Sequence, residues 1–297
     1  MSDVAVNTAA VASTAGGQSH VERAPGAALR GLVASAWVQR VEAGAAPYVH
    51  RRLPNGAVEL TCTIGAAPRL VGPLTAPLTE TIAPGATVVG VRFAPGAFPA
   101  VAGVPASELT GLDVAAEAVW GRAAAELGEA VAEAATPQAA LSLLEHHVAE
   151  RARDGGEPDP LVSAAVRGLM PWRAGDVASI RASLHISETQ LRRRCLSAVG
   201  LAPKALHRML RFQGFLALVQ ESIARHRAPT ETLAHLATRV GYADQAHLSR
   251  ECVRLTGVPP RVFLAQTRMT CTEGHDHSAS FAPLLSAEPV TSRGPRP

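Results

Sequence analysis

The spacing of apolar residues changes about halfway along the chain. In the first half, short segments alternate apolar and polar residues, and from Val58 to Ile64 every second residue is apolar. This alternation predicts a β-strand with one face in the core and one face, bearing Glu59 and Thr61, toward water. In the second half, apolar residues recur every three or four positions, which predicts amphipathic helices.

Further strands are expected at residues 29–41 and 87–93, separated by segments rich in Pro and Gly turn residues. Short strands joined by such turns predict a β-rich domain of barrel or sandwich type. Such a domain holds either a small ligand or a filled core. From Asp113, a candidate helix cap, to about Arg153 the apolar spacing becomes helical.

We therefore predict an α+β chain in five parts. Residues 1–24 and 269–297 lack a regular period and are expected to be a disordered arm and a disordered tail. Residues 25–153 form the β-rich domain, with a helical appendage at its end. Residues 154–160 are a linker rich in Gly, Pro and acidic residues. Residues 161–268 form an all-α domain.

The all-α part contains one pattern written twice. The segment from Ser187 to Cys195 recurs as the segment from Asp244 to Cys252, and each copy closes with a Gly and a Pro at the same spacing. In each copy a capping residue begins a helix, Leu and Cys four residues apart form its buried face, and Gly ends it. The repeat predicts two helix-turn-helix units joined by one long helix that begins at Pro203.

Charge is distributed unevenly between the two halves. Residues 1–159 hold 16 acidic residues against 10 arginines, whereas residues 160–268 hold 16 basic residues against 6 acidic ones. A basic half on a nearly neutral chain is typical of a nucleic-acid-binding protein. We expect helices at about 187–199 and 244–256 to enter successive major grooves of double-stranded DNA, roughly 34 Å apart.

Side chains on the exposed faces of these two helices are the candidate DNA contacts. Arg suits bidentate contact with guanine, and small or polar side chains suit other base edges and the thymine methyl group. The predicted DNA-binding residues are Thr189, Arg192, Arg193, Gln245, Ala246, His247, Arg250 and Arg254.

Other chemistry finds little support in the sequence. Cys62, Cys195 and Cys252 occupy apolar positions and are expected to be core residues in a reducing cytoplasm. Cys271, His275 and His277 are residue types that bind Zn²⁺ or Ni²⁺. Because all three lie in the predicted disordered tail, we expect no metal site and no cofactor.

Enzymatic and membrane functions are likewise not expected. The chain has no Gly-x-Ser-x-Gly motif, no Walker loop and no dinucleotide-binding fingerprint in a βαβ unit. It has no apolar run of the roughly 18 residues that a membrane span needs, and its first residues do not resemble a secretory signal. We therefore predict a cytoplasmic protein that is not an enzyme and has no membrane partner.

The second copy of the repeat resembles a known family. The segment from Leu236 to Pro260, followed by Val262 and Phe263, is similar to the C-terminal signature of the AraC/XylS family of bacterial transcription regulators. The segment from Ile186 to Cys195 is similar to the family's first helix-turn-helix, so the resemblance covers about residues 160–267. The sequence departs from the family pattern in three ways. Cys195 and Cys252 stand where the family usually has an aromatic residue, Val253 stands where a basic residue is common, and His185 takes a usual Gly position.

The resemblance implies a sequence-specific regulator of transcription. It implies binding to double-stranded DNA, contact with RNA polymerase if the protein is an activator, and an N-terminal domain that binds a small-molecule effector or forms a homodimer. The N-terminal half is similar, more loosely, to an uncharacterised sensor subgroup of this family, in three segments. These are Leu53–Leu60, Val91–Ala97 and Val104–Leu109. The resemblance identifies no effector.

Two alternatives remain open at this stage. One is a small-molecule-modifying enzyme, or a ligand-binding β domain, whose basic half tethers it to DNA. The other is an adaptor whose helical repeats bind partner helices. A pocket with converging polar groups and shifted pKa values favours the enzyme, and a large exposed apolar groove favours the adaptor.

Overall fold

The computed structural model describes residues 17–173, 175–224, 232–272 and 274–286. Within these ranges the first half is mainly β-structure and the second half is mainly helical. The strands are β1 (Gln18–Arg23), β2 (Val33–Val41), β3 (Tyr48–Arg52), β4 (Glu59–Thr63), β5 (Arg69–Val71), β6 (Leu78–Ile82), β7 (Thr87–Phe93), β8 (Asp113–Ala115) and β9 (His275–Asp276).

Helices occur in both halves, and two short 3-10 turns at Ala27–Leu29 and Ala106–Leu109 accompany them. The helices are α1 (Phe98–Ala102), α2 (Glu117–Trp120), α3 (Arg122–Ala132), α4 (Pro137–Asp154), α5 (Pro160–Gly168), α6 (Val177–Ser183), α7 (Glu188–Val199), α8 (Pro203–Ala224), α9 (Leu233–Arg239), α10 (Gln245–Thr256), α11 (Pro260–Thr272) and α12 (Ser278–Ser286). Among the described residues, no helix is both long enough and apolar enough to cross a membrane.

The strands form two sheets. The larger sheet has the strand order β8-β5-β4-β7-β2-β1-β9, with antiparallel pairs except for the parallel contact of β1 with β9. β3 and β6 are not consecutive strands, but they pair to form a separate two-stranded antiparallel sheet, the β3–β6 sheet. It packs on the larger sheet through a small core around Trp37 and Ile82. This two-sheet arrangement confirms the predicted α+β class with a β-rich first half.

The two faces of the larger sheet differ in chemistry. One face is apolar and packs against α1–α4, with Leu60 and Val91 of the sheet buried together with Leu144 of α4. The opposite face bears polar side chains that are nevertheless buried under the β3–β6 sheet and the C-terminal helices. They are His20, Glu22, Ser35, Gln39, Glu59 and Thr61.

The buried polar face corrects one sequence prediction. The predicted apolar face of β4 is confirmed, since Leu60 and Cys62 enter the apolar core. Glu59 and Thr61, however, do not face water, because they are only 8% and 4% exposed. A period of two identifies the two faces of a strand, but it does not reveal what covers the second face.

The helical half confirms the predicted repeat. Ser187 begins α7 and Asp244 begins α10, each accepting a hydrogen bond from a backbone N–H three residues later. Gly200 and Gly257 end these helices with left-handed backbone, at φ 76° and 79°. Asp176 and Thr232 likewise cap the N-termini of α6 and α9.

The buried faces of the two copies are as predicted. Leu191 and Cys195 of α7 are buried, as are Leu248 and Cys252 of α10. Burial raises the pKa of the Cys195 thiol to about 11, so this residue is a small core side chain and not a reactive thiolate.

The turns between the paired helices share one hydrogen-bond pattern. In the first, the N–H of Ile186 bonds to the carbonyl of Arg181, and in the second the N–H of Tyr242 bonds to that of Ala237. The left-handed position is held by Gly241 in the second turn, at φ 82°, but by His185 in the first, at φ 52°. The first turn therefore carries backbone strain that the second avoids.

Three local predictions differ from the structure. Residues 18–23, expected to belong to a disordered arm, form β1, and residues 275–286, expected to belong to a disordered tail, form β9 and α12. Both segments are ordered by their pairing with each other and by contacts of β1 with β2 and of α12 with α8. Asp113 begins β8 instead of a helix, and its carboxylate accepts a hydrogen bond from Arg69 at 2.7 Å.

Replacing His185 with Gly should stabilise the protein, because Gly adopts a left-handed backbone without a Cβ clash. We expect the free energy of unfolding to rise by about 0.5–1 kcal/mol, seen as a higher urea midpoint with an unchanged slope. Ala182→Gly, on the exposed side of the preceding helix, is the matched control and should lower it by about 0.5–1 kcal/mol. A His185→Gly variant no more stable than the wild type would contradict the strain.

Candidate functional site

The eight predicted DNA-contacting residues lie on the two capped helices of the repeat. On α7, Thr189, Arg192 and Arg193 are exposed. On α10, His247 is partly exposed, and the exposed residues are Gln245, Ala246, Arg250 and Arg254.

The four arginines of this set are available for a partner. Among the described residues, none of them lies within 4.0 Å of a carboxylate. The adjacent Arg194 differs, because it is less exposed and pairs with Asp159. His247 is the most constrained member, since its ring packs edge-on against Tyr242 with centroids 5.1 Å apart.

A single helix connects the two units. α8 has 22 residues, which corresponds to about 33 Å at 1.5 Å per residue. This length is close to the roughly 34 Å between successive major grooves on one face of B-DNA.

A cavity of about 290 Å³ lies between the polar face of the larger sheet, the β3–β6 sheet and the C-terminal helices. Apolar side chains from both halves line it, with Trp37, Leu53 and Leu74 from the β-rich half and Leu216 and Phe263 from α8 and α11. The size and the mixed lining are typical of a site for a small organic ligand.

An ion-pair network forms the polar wall of this cavity. Arg92 Nε donates to Glu59 Oε1 at 2.7 Å, and Arg52 Nη1 lies 3.4 Å from Glu59 Oε2. Burial would raise the pKa of Glu59, but Arg92 and Arg52 outweigh it and lower that pKa. Arg52 Nε also donates to Glu80 Oε1 at 2.7 Å, and His50 lies 3.2 Å from the same oxygen.

A second polar cluster adjoins the network at β1. His20 Nε2 and His277 Nδ1 lie 3.1 Å and 3.0 Å from Glu22 Oε1. Burial would raise the pKa of Glu22, but Arg92 and the two histidines hold it well below its usual value. Burial lowers the pKa of His20 to about 4, so its ring is neutral at pH 7.

Direct contacts join the β-rich half to the helical half around the cavity. Gln213 on α8 donates to the carbonyl of Pro54 at 3.1 Å, and Arg51 on β3 donates to Gln266 on α11 at 3.1 Å. The hydroxyl of Thr110 donates to the carbonyl of Gly200, the residue that ends α7. The first helix-turn-helix unit and α8 are therefore both anchored on the β-rich half.

Sequence reasoning missed most of the cavity wall. Glu59, which the alternation predicted to face water, lines the cavity, and Arg52 links it to Glu80. His20 and Glu22 were assigned to the disordered arm. Their alternation with Val21, which is 52% exposed, is the same period of two seen in β4 and was the available signal.

Comparisons with known proteins agree with the helical half and are uninformative for the first half. Residues 181–266 match the model of a helix-turn-helix domain family. Residues 21–115 match the model of a domain of unknown function, DUF6597. No curated protein matches the chain.

Solved structures of ToxT from Vibrio cholerae are among those similar to the chain. ToxT from strain O395 is 13% identical, with a TM-score of 0.40 over 75% of this chain and 94% of ToxT. ToxT bound to (E)-4-(8-methylnaphthalen-1-yl)but-3-enoic acid is 10% identical, with a TM-score of 0.41 over 86% and 100% of the two chains. Unsaturated fatty acid-bound ToxT is 11% identical, with a TM-score of 0.40 over 84% and 93%. Similarity at this level carries no conclusion about ligand or mechanism.

The paired, capped helices define the second half as a helix-turn-helix DNA-binding domain. More specifically, the domain is of the AraC type, and the protein is a DNA-binding transcription regulator.

Replacing Glu80 with Gln should destabilise the fold in a pH-dependent manner. Burial would raise the pKa of Glu80, but His50 and Arg52 outweigh it and lower that pKa from 4.5 to about 2. Because the folded-state pKa is depressed, the ionised carboxylate stabilises the fold above pH 4.5, and this contribution is lost as the pH falls toward about 2.

At pH 7 we expect Glu80→Gln to lower the free energy of unfolding by about 1–2 kcal/mol, a value reduced to allow for solvent screening. The difference from the wild type should shrink below pH 4.5. Urea unfolding at several pH values measures it. Glu126→Gln, in an exposed pair with Arg122, is the control and should have little effect at any pH. A constant difference between Glu80→Gln and wild type from pH 7 to pH 3.5 would argue against the ion pair as the cause.

Proposed function

We propose that the protein is a sequence-specific transcription regulator controlled by a small molecule that binds in the interdomain cavity. α7 and α10 are the recognition helices, and they enter successive major grooves of double-stranded DNA. The predicted linker at residues 154–160 is retained as the boundary between the two halves in this proposal, as are a homodimer and, for an activator, contact with RNA polymerase.

The unpaired arginines of α7 and α10 are the single observation that best supports the DNA contacts. A surface arginine without a carboxylate partner keeps its five N–H donors for phosphate or guanine. The capped N-terminus of each helix lies beside them, and backbone N–H groups there favour phosphate. The basic charge balance of residues 160–268 favours association with DNA before any base is contacted.

The position of α8 supports control by a ligand. Gln213, Leu216 and Gln220 of this helix line the cavity, and the same helix joins the two helix-turn-helix units. A ligand that displaces α8 therefore acts on the relative position of both recognition helices. The cavity size and its apolar lining favour a small amphipathic organic molecule.

The charged cavity wall raises the alternative of an enzyme, because converging polar groups are also a feature of active sites. The direction of the pKa shifts favours a binding site instead. The carboxylates of Glu22, Glu59 and Glu80 all have lowered pKa values, which keeps them ionised at pH 7. General acid–base catalysis needs a group whose pKa lies near the working pH, and these shifts move the carboxylates away from it.

Arg193→Ala and Arg250→Ala should each weaken binding to a specific duplex by about 1–3 kcal/mol if the guanidinium group contacts a base. Base preference at the contacted position should also relax. The duplex is first selected from a random pool with the full-length protein, and affinities are then measured at several salt concentrations. Arg122→Ala, an exposed arginine on α3, is the control and should not change affinity.

The selected site should also be asymmetric. The two helices differ at equivalent positions of the repeat. Thr189 corresponds to Ala246 and Arg192 corresponds to Ser249, so we expect their half-sites to differ. If both arginine variants bind with unchanged affinity and unchanged base preference, the assignment of α7 and α10 as recognition helices is wrong.

A ligand of the cavity should raise the melting temperature of the wild type but not of Leu216→Phe. The larger ring occupies part of the cavity of about 290 Å³. Thermal melting against a small-molecule library identifies ligands, and DNA affinity is then measured with and without each one. Val262→Phe, at a position on α11 that is 45% exposed and does not line the cavity, is the control. A ligand that stabilises Leu216→Phe as well as the wild type binds elsewhere.

A further inference from the structure

The segment after α11 brings two histidines to the polar face of the larger sheet. β9 pairs in parallel with β1, which places His275 opposite His20. The ring centroids of His20 and His277 are 4.7 Å apart, and that of His275 lies 5.5 Å from each. Side chains separated by more than 250 residues in sequence therefore form one cluster.

Two of these histidines, His20 and His277, and the neighbouring Glu22 have the spacing of metal ligands. One nitrogen each of His20 and His277 and a carboxylate oxygen of Glu22 all lie within 4.8 Å of one another. The carboxylate oxygen is 3.1 Å and 3.0 Å from the two nitrogens. Two ligands of a tetrahedral Zn²⁺, each at about 2.0–2.1 Å, are roughly 3.3 Å apart. The two distances to the carboxylate oxygen therefore need only a small expansion to hold such an ion.

Gln39 orients the His20 ring for this purpose. Its Oε1 lies 3.0 Å from His20 Nδ1, while its Nε2 donates to Gln18 Oε1 at 3.2 Å. With the amide placed in this way, Nδ1 is the protonated nitrogen of the neutral ring, and the lone pair of Nε2 is directed at Glu22. Metal-ligating histidines are typically held by such a hydrogen bond from their other nitrogen.

The charge of the surroundings favours an additional cation. Contacts within 4.0 Å link the carboxylates of Glu22, Glu59 and Glu80 to the guanidinium groups of Arg52 and Arg92. Three carboxylates therefore share two guanidinium groups, and a bound cation adds positive charge to this acidic cluster.

Arg92 is the nearest competing cation, but its hydrogen bonds are directed elsewhere. It lies 3.7 Å from Glu22 Oε1, yet donates to Glu59 at 2.7 Å and to Ser280 at 2.6 Å. Ser280 in turn donates to Glu22 Oε2. Glu22 Oε1 is thus left facing the two imidazole nitrogens.

We propose that His20, Glu22 and His277 bind a divalent first-row transition metal ion, for which Zn²⁺ is the best fit. The ion joins β1 to the segment that contains β9 and α12. Two imidazoles and one carboxylate are an established ligand set for Zn²⁺, and the fourth position is left for water or for a ligand from the cavity. Cys271 is not part of this set, because its thiol donates to Gln220 on α8.

Binding is tested on the full-length, untagged protein after removal of metal by chelation. We expect one equivalent of Co²⁺ to produce the visible absorption of a tetrahedral site, and one equivalent of Zn²⁺ to displace it. His277→Gln and His20→Gln should each reduce Zn²⁺ affinity at least tenfold, since changes even to groups behind the ligands cost about 10- to 100-fold. His146→Gln, at an exposed histidine on α4, is the matched control and should bind like the wild type.

X-ray absorption of the Zn²⁺-loaded wild type provides a measurement that needs no variant. We expect scattering from two imidazole rings and only nitrogen or oxygen in the first shell. A sulfur shell at about 2.3 Å would show that the metal binds a cysteine and would overturn the proposal. The absence of stoichiometric Co²⁺ or Zn²⁺ binding, or undiminished binding in both histidine variants, would overturn it as well.

The metal site is independent of the proposed regulatory function, because none of these measurements uses DNA or an organic effector. A protein that binds Zn²⁺ at His277 but no specific duplex would leave the site standing and reject the regulator. Circular dichroism and thermal unfolding of each metal-free variant establish that a loss of binding is not a loss of fold.

Discussion

The structure depends on keeping one layer of charge out of water. Glu59 and Arg92 lie on adjacent strands of the larger sheet and pair at 2.7 Å. They are covered by the β3–β6 sheet and by helices that follow much later in the chain. Breaking a buried ion pair by removing one partner costs about 3–5 kcal/mol, because the remaining charge is left uncompensated. The charged layer therefore favours conformations in which all the elements that cover it are in place. These elements are the β3–β6 sheet, α8, α11 and α12.

The same requirement explains how the two halves are held together. α12 packs against α8 on one side and against β1 on the other, and Phe281 and Leu284 are buried there. Trp172, just after α5, donates to the carbonyl of Leu284. The C-terminal segment is thus part of the helical core and also covers the polar face of the sheet. A structural change on that face therefore acts directly on the helices that carry the DNA-binding units.

The helical half was largely predictable from sequence, and the cavity was not. Caps, glycine ends and an apolar face are local signals, so Ser187, Asp244, Gly200 and Gly257 could be placed from their neighbours alone. The polar wall depends on long-range pairing. The role of Glu59 is decided by Arg92, Arg52 and the helices above them, and that of His20 by a segment more than 250 residues away. Periodicity gives the faces of a strand, but a buried polar face and a wet one have the same pattern.

In the proposed function, the long helix α8 is the physical link between the cavity and DNA. One side of it contributes Gln213, Leu216 and Gln220 to the cavity, and its two ends lead to the two helix-turn-helix units. A rigid helix cannot shift at its centre without moving both ends. In this mechanism, a ligand that prefers one position of α8 shifts α10 relative to α7, because Thr110 holds the end of α7 at Gly200 on the β-rich half. DNA that prefers one spacing of α7 and α10 then changes the affinity for the ligand. The two effects must be equal in free energy, because linkage between two binding equilibria is reciprocal.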